Sequence, residues 1–390
     1  MDTVRSVAVG IWVRTGSRYE NRPENGIAHF LEHMMFKGTK KRTPLKIVQS
    51  LESLGGNLNA FTSKEITCYF SNSLDSHLRQ SVEVLADMVC NSVFPEKEIR
   101  REQFVVLEEI KSVKDTPEDH IFDIFYDKLF PESSIGRPIL GREDSVNDFQ
   151  RDDLINFWHR YYTPENIVVA ASGNLGHSRL VNLVNKYFHF DSGAIPGIPE
   201  PARIDQNKMY VYDQPINQAH LCVGGKGIHY TSSDRIALLV LNAYLGGGMS
   251  SRLFQNLREK RGLAYSVYSY AEFYSDIGLF GVYLGTDSAK IDMARALIYR
   301  EFQYLRERHL SPGILKKVKD QLKGNLVLGL EGTSRRMSRL AKNEIYFGEY
   351  IPIDALINKI DLVSSEDINR LANQILHPEN FISVILQPKQ

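Results

Sequence analysis

Apolar and polar residues follow two periods along this chain, and the two periods alternate in blocks. Short runs such as SVAVGIWV (6–13), EITCYFSNS (65–73), KMYVYD (208–213), AHLCVGG (219–225) and DIGLFGVYL (276–284) have the length and β-branched or aromatic content of strands. Longer stretches such as HLRQSVEVLADMV (77–89), EIRREQFVVLEEIKSV (98–113) and AKIDMARALIYREFQYL (289–305) carry the spacing of amphipathic helices. Strands followed by runs of helices predict an α+β fold, with mainly antiparallel sheets covered by helices. A polar run with three prolines and two glycines, HFDSGAIPGIPEPARIDQNK, reads as a linker over 189–208. It divides the chain into domains 1–188 and 209–390.

The two sides read as diverged copies. SVAVGIWVRTGSR matches AHLCVGGKGIHYTSSD in kind. NAFTSKEITCYFSNS plus its helix parallels SVYSYAEFYSDIGLFGVYL plus its helix. The order of element types carries the repeat more than residue identity does. One element has no counterpart: the second copy opens on the strand-like KMYVYD, and nothing equivalent precedes Val4, so the sequence begins about one strand late relative to its own repeat, either because a strand precedes it or because the first sheet is naturally short there.

The chemistry concentrates in the first copy. The segment GIAHFLEHMMFKGT contains His29, Glu32 and His33, an H-x-x-E-H that inverts the order of the commoner zinc-helix motif. Positions i, i+3 and i+4 share one helix face. Two imidazoles can then ligate one metal, with a carboxylate beside it as general base on a water. A catalytic zinc needs a third ligand and one open position. The helical stretch 98–113 offers Glu102, Glu108 and Glu109. Glu102 and Glu109 lie seven apart on one face and Glu108 about 100° away. Spacing alone leaves the choice among the three open.

HFLEH with a distant Glu, together with GGNLNAFTSKEITCYF, GRPILG, LGGGMSSRLF and LREKRGLAYSV, resembles peptidase family M16, in its short-chain branch similar to mitochondrial processing peptidase. The resemblance spans nearly the whole chain. It implies that the third ligand is Glu109, last in VVLEE and 76 positions past His33, and that Glu102, one heptad earlier, supports a ligand from outside. It implies one Zn2+ per chain on His29, His33 and Glu109, with Glu32 as the base. It further implies an edge strand at Asn59, Ala60 and Phe61 that takes a peptide as an added strand, and an Arg258–Tyr265 pair in the second domain that faces the substrate. Two homologous domains would form half of a clamshell chamber, completed in a homodimer. The implied activity is a zinc-dependent endopeptidase acting on unfolded peptides or presequence-like segments. A different class, the non-catalytic core subunits of respiratory complexes that share the fold, loses motif ligands that are all present here.

The rest of the sequence narrows the picture by exclusion. Lys plus Arg equals Asp plus Glu at 47 each, so no overall field recruits nucleic acid or a membrane surface. No apolar run is long enough to span a bilayer, and the opening MDTVRSVAVGIWV has no signal or transit character, which points to the cytoplasm. Cys68, Cys90 and Cys222 are odd in number and far apart, as buried thiols in a reducing compartment are. LGGGMSSRLF lacks the lysine of a phosphate loop and reads as a turn, with Ser250 or Ser251 capping the next helix. Residues 37–44, KGTKKRTP, read as a solvated basic loop, and His120, His159 and His229 as histidines outside any metal site.

Overall fold

The computed structural model describes residues 1, 3–190, 193, 197 and 203–389; most of the predicted linker's centre lies outside the described residues. The first half runs β1 (Ser6–Val13), α1 (Ile27–Met34), α2 (Pro44–Glu52), β2 (Asn57–Thr62), β3 (Thr67–Leu74), α3 (Leu78–Asn91), α4 (Glu96–Asp115), α5 (Pro117–Leu129), α6 (Glu143–Asp148), α7 (Arg151–Tyr161), β4 (Ile167–Gly173) and α8 (His177–Tyr187). The second runs β5 (Lys208–Gln214), β6 (Ala219–Lys226), α9 (Arg235–Gly246), β7 (Ala264–Phe273), β8 (Gly278–Thr286), α10 (Ile291–Glu307), α11 (Pro312–Gly329), α12 (Thr333–Phe347), α13 (Ile353–Leu362), α14 (Ser365–Ile375) and β9 (Phe381–Pro388).

The predicted repeat is present in three dimensions. The first sheet has the order β2-β3-β1-β4 and is antiparallel throughout; the second has the order β5-β9-β6-β8-β7. After each hairpin come five helices, then a 3₁₀ turn of identical sequence, Pro164-Glu165-Asn166 and Pro378-Glu379-Asn380, that feeds the last strand. The extra strand is β5, which pairs in parallel with β9, Tyr210 opposite Val384. Among the described residues β4 pairs only with β1.

Sequence order and packing divide the chain differently. One compact unit comprises 1–112, 137–200 and 329–350; the other comprises 113–136, 201–328 and 351–390. The reason is that each central strand is apolar on both faces. In β1, Val7, Val9, Ile11 and Val13 face the main core with α1 and α3, while Ala8 and Trp12 face the other way, against Met337 and Ala341 of α12. In β6, Leu221 and Val223 join the core with α9, α10 and α14, whereas Cys222 lies with Ile121, Phe125 and Leu129 of α5. A single-layered cover would leave these faces in water, at roughly 1.5–3 kcal/mol for each large apolar side chain. A glycine on the outer face of each central strand permits the close approach. A Cβ on Gly10 would meet Met337 Sδ at 3.0 Å, and one on Gly224 would meet Phe125 Cζ at 2.8 Å.

Candidate metal centre

Helix α1 is short and two-faced. Ile27, Ala28, Phe30, Leu31 and Met34 are buried in the first unit's core. That burial turns His29, Glu32 and His33 to the opposite side, where His29 and His33 keep 11% and 19% of their side chains exposed. Helix α4 lies across from them. Its Ile99, Val106 and Ile110 are in the core, and Glu102 is buried beside them.

His29 Nε2 and His33 Nε2 stand 3.6 and 3.7 Å from the same oxygen, Glu109 Oε2. The three ligand atoms all lie within 4.8 Å of one another, the one such cluster among the described residues. Zinc bonds of roughly 2.0–2.2 Å at tetrahedral angles require ligand atoms about 3.3–3.5 Å apart. The Glu109 oxygen is thus within a few tenths of an ångström of that spacing from each imidazole nitrogen, and the two nitrogens lie no more than 4.8 Å apart. Glu109 is 41% exposed, so the side away from the helices is open. Two nitrogens, one carboxylate oxygen and an open position suit zinc.

The electrostatics of the cluster are divided between its two histidines. Burial, then the neighbouring His33, pulls His29 down to about 3, so it is a neutral imidazole. Burial also pulls on His33, but the hydrogen bond to Glu102 and the charges of Glu109, Glu102 and Glu32 outweigh it and hold His33 above its ordinary value. Glu102 is buried too, yet its bonds to His33 and Lys37 keep its carboxyl below the usual range. It is therefore an acceptor, and His33 Nδ1 donates to it at 3.0 Å, so the neutral imidazole carries its lone pair on Nε2, the nitrogen on the Glu109 side. Lys37 Nζ holds the other Glu102 oxygen at 2.6 Å. His29 has no such partner: its Nδ1 is buried and unbonded. Burial raises Glu32, against the opposing pull of a 2.6 Å hydrogen bond donated by Thr62 Oγ1 and of the His33 charge.

The structure thus separates the three glutamates that spacing left open. Glu102 and Glu109 meet the histidines, while Glu108 is 72% exposed and pairs with Lys111. Lys37 and Thr62 went unread in the sequence. Lys37 was legible only as part of a basic loop, and Thr62 as the end of a strand.

A model described as Insulinase (Peptidase family M16) matches residues 1–143, and one described as Peptidase M16 inactive domain matches 148–322. The chain belongs to peptidase family M16. Among its relatives is the uncharacterized zinc protease YmxG of Bacillus subtilis, 41% identical over 99% of this chain and 94% of the relative. An uncharacterized zinc protease of Streptomyces coelicolor is 38% identical over 100% of this chain and 87% of the relative. The crystal structure of a protease from Helicobacter pylori superposes with a TM-score of 0.91 at 24% identity, covering 99% of this chain and 94% of that one, which speaks for the fold.

The remaining sequence-predicted residues lie on β2 and in the second unit. Asn59, Ala60 and Phe61 are on β2, whose only partner among the described residues is β3. Thr62, at the end of the same strand, is the residue bonded to Glu32. Phe61 is anchored edge-on against Trp12 at 5.5 Å. In the second unit, Arg258 sits on a π-helical turn, Phe254–Glu259, and its guanidinium lies 4.7 Å from the Phe254 ring and 5.3 Å from the Tyr265 ring. Tyr265 is the extra residue of a β-bulge between Ala264 and Ser266 and is 76% exposed. The predicted serine cap does not form here. Ser251 Oγ is buried without a hydrogen-bond partner, and Ser251 serves through its carbonyl, which accepts from Gln255. The three cysteines are free, His120 and His229 bond to Gln214 and Thr231, and no helix among the described residues is long and apolar enough to cross a membrane.

Proposed function

We propose that this M16 member is a zinc-dependent endopeptidase that cleaves extended, unfolded peptides. The observation that carries the proposal is the convergence of His29, His33 and Glu109 on one point, with Glu32 on the same helix face. Zinc held by these three residues would polarise the scissile carbonyl and acidify a water. Glu32, raised by burial and steadied by Thr62, is placed to take a proton from the attacking water and return it to the leaving amine. Glu102 and Lys37 keep His33 in the tautomer that ligates through Nε2.

The free edge of β2 gives the substrate its seat: a peptide adds there as a strand, held by its backbone and bounded by Asn59, Ala60 and Phe61. Asn59 Oδ1 accepts from the Ala60 N–H at 2.8 Å, a side-chain cap that an arriving strand displaces. Arg258 and Tyr265 act on the same substrate, the hydroxyl donating to the developing oxyanion and the guanidinium holding the peptide backbone. A homodimer supplies this pair from one copy to the metal of the other.

Zinc analysis of the purified chain, run with cleavage of a panel of unfolded peptides with and without chelator, tests the reading. About one zinc per chain and chelator-sensitive cleavage of internal bonds are expected. A chain that binds zinc and cleaves nothing, or cleaves undiminished after the metal is stripped, overturns it.

A further inference from the structure

Helix α1 is started from outside itself. Its N-cap is Gly26, in the left-handed region at φ 98°, with no side-chain cap of its own. Glu20, six residues earlier and 3% exposed, does the capping: Oε2 accepts from the Gly26 N–H and Oε1 from the Ala28 N–H, each at 2.9 Å. Asn25 Nδ2 donates both to Glu20 Oε2 at 3.1 Å and to the Pro138 carbonyl at 3.0 Å. Ser145 Oγ donates to the Asn25 carbonyl at 2.7 Å. Gly26 and Gly141 pass backbone against backbone, since a Cβ on either would lie 2.7 Å from the other's Cα. The GRPILG segment, which the chemistry above does not use, is therefore the far side of a brace around the first turn of α1.

This matters because the two histidines are oriented by different means. His33 is aimed by Glu102. His29 has nothing on Nδ1, so its ring direction depends on where the backbone of the first turn is held. Ala28, whose amide Glu20 holds, is the residue before it.

We infer that Glu20 is a positioning residue of the metal centre: with Asn25 and the 137–145 segment it fixes the first turn of α1 and thereby aims His29 at the cation. The inference rests on the reading of His29, His33 and Glu109 as zinc ligands. Glu20 does not touch the metal. It acts by satisfying amides that a short helix otherwise leaves unpaired.

Chelator-competition titration of zinc into the full-length chain tests it, alongside thermal melting of the metal-free protein. Glu20→Gln keeps the shape but sets an amide NH₂ against one of the two N–H donors. It is expected to weaken zinc binding by about 10–100-fold, the usual scale for outer supports of a metal site. Val89→Ala, a cavity in α3, is the stability control: it lowers the melting temperature and leaves zinc affinity unchanged. Glu20→Gln that melts early but binds zinc like the wild type overturns the proposal, because its role is then structural only. Should Glu20→Gln fail to fold, Ser145→Ala decides, since it removes one neutral bond of the brace: a loss of roughly threefold to tenfold supports the proposal and an unchanged affinity overturns it. His33→Ala separates the two readings. A wild type that binds no zinc, or a His33→Ala chain that binds it equally well, fails the metal assignment and the brace with it. Loss in His33→Ala with none in Glu20→Gln or Ser145→Ala fails the brace alone.

Discussion

Three glutamates on one helix give a graded test of the metal centre. Glu109→Gln, Glu102→Gln and Glu108→Gln each remove one charge from α4 and change almost no volume, so differences among them report position. Glu108 is 72% exposed and pairs only with Lys111. An exposed pair of this kind is worth about 0–1 kcal/mol to stability, and zinc affinity should stay within about twofold of wild type. Glu102 bridges His33 Nδ1 at 3.0 Å and Lys37 Nζ at 2.6 Å. Its amide can still accept from His33, but the NH₂ then faces the Lys37 ammonium, so half the bridge is lost. A loss of about 10–100-fold in zinc affinity follows, roughly 1.4–2.7 kcal/mol. Glu109 offers the oxygen that lies 3.6 and 3.7 Å from the two imidazoles. Its replacement removes a charged ligand outright and should exceed the roughly 100-fold upper end of the outer-shell losses. Zinc titration against a competing chelator orders the three. If Glu108→Gln loses metal while Glu109→Gln retains it, or if all three fall together, the assignment is wrong.

Glu32→Gln should keep zinc, because the ligand atoms are untouched, and lose on the order of 10²–10⁴-fold in turnover; metal content and peptide cleavage are measured on the same preparation, and near-normal turnover rules out Glu32 as the base. Stripping zinc should lower the melting temperature, since an ion present at about 1,000 times its dissociation constant adds roughly 4 kcal/mol to the folded state. The same treatment of Glu109→Gln should shift its melting far less, and equal shifts in the two would place the stabilising ion elsewhere. Tyr265→Phe should cost on the order of 10²–10³-fold in turnover with zinc content and melting preserved. Mixing Glu32→Gln chains with Tyr265→Phe chains should then restore part of the activity. No recovery after demonstrated subunit exchange argues that each site is completed within one chain.

The fold was legible because its signal is long-range and redundant. Strand-like and helical blocks recur in the same order in both halves, and the extra strand β5 stood out as an unmatched block before the structure placed it beside β9. The exchange of α5 and α12 between the compact units was not legible. Amphipathic spacing shows that a helix has an apolar face and is silent about which sheet that face covers. At the site, the H-x-x-E-H spacing was enough to bring His29, Glu32 and His33 to one side of α1. It could not choose between Glu108 and Glu109, because adjacent residues on a helix differ only by rotation, and the neighbours that decide it, Ile99, Val106 and Ile110 in the core, are a tertiary fact. Thr62, Lys37 and Glu20 were missed for a related reason. Each acts on a partner that spacing does not single out: Glu32 lies 30 residues from Thr62, Glu102 is on α4 while Lys37 follows the end of α1, and Glu20 reaches the amides of Gly26 and Ala28 from the irregular segment before the helix.

The repeat also shows what the chemistry costs. After the first strand of each copy comes a helix packed on the sheet: α1 in one, α9 in the other. Helix α9 buries Ile236, Ala237, Leu238, Val240, Leu241 and Leu245, a nearly continuous apolar surface that packs without polar demands. Helix α1 gives up one face, about 100° of its circumference, to His29, Glu32 and His33 and faces a buried Glu102. Burying such groups is unfavourable unless each is bonded or paired. The bonds are accordingly present: Thr62 on Glu32, Lys37 and His33 on Glu102, and Glu20 on the helix start. None of them forms part of the apolar core, so they add little that α9 does not achieve with hydrocarbon alone. Their consistent effect is to hold two imidazoles and two carboxylates in place. The rule that a packed helix face be apolar is broken in α1 and kept in α9, and the breach falls on the residues whose chemistry the fold has to position.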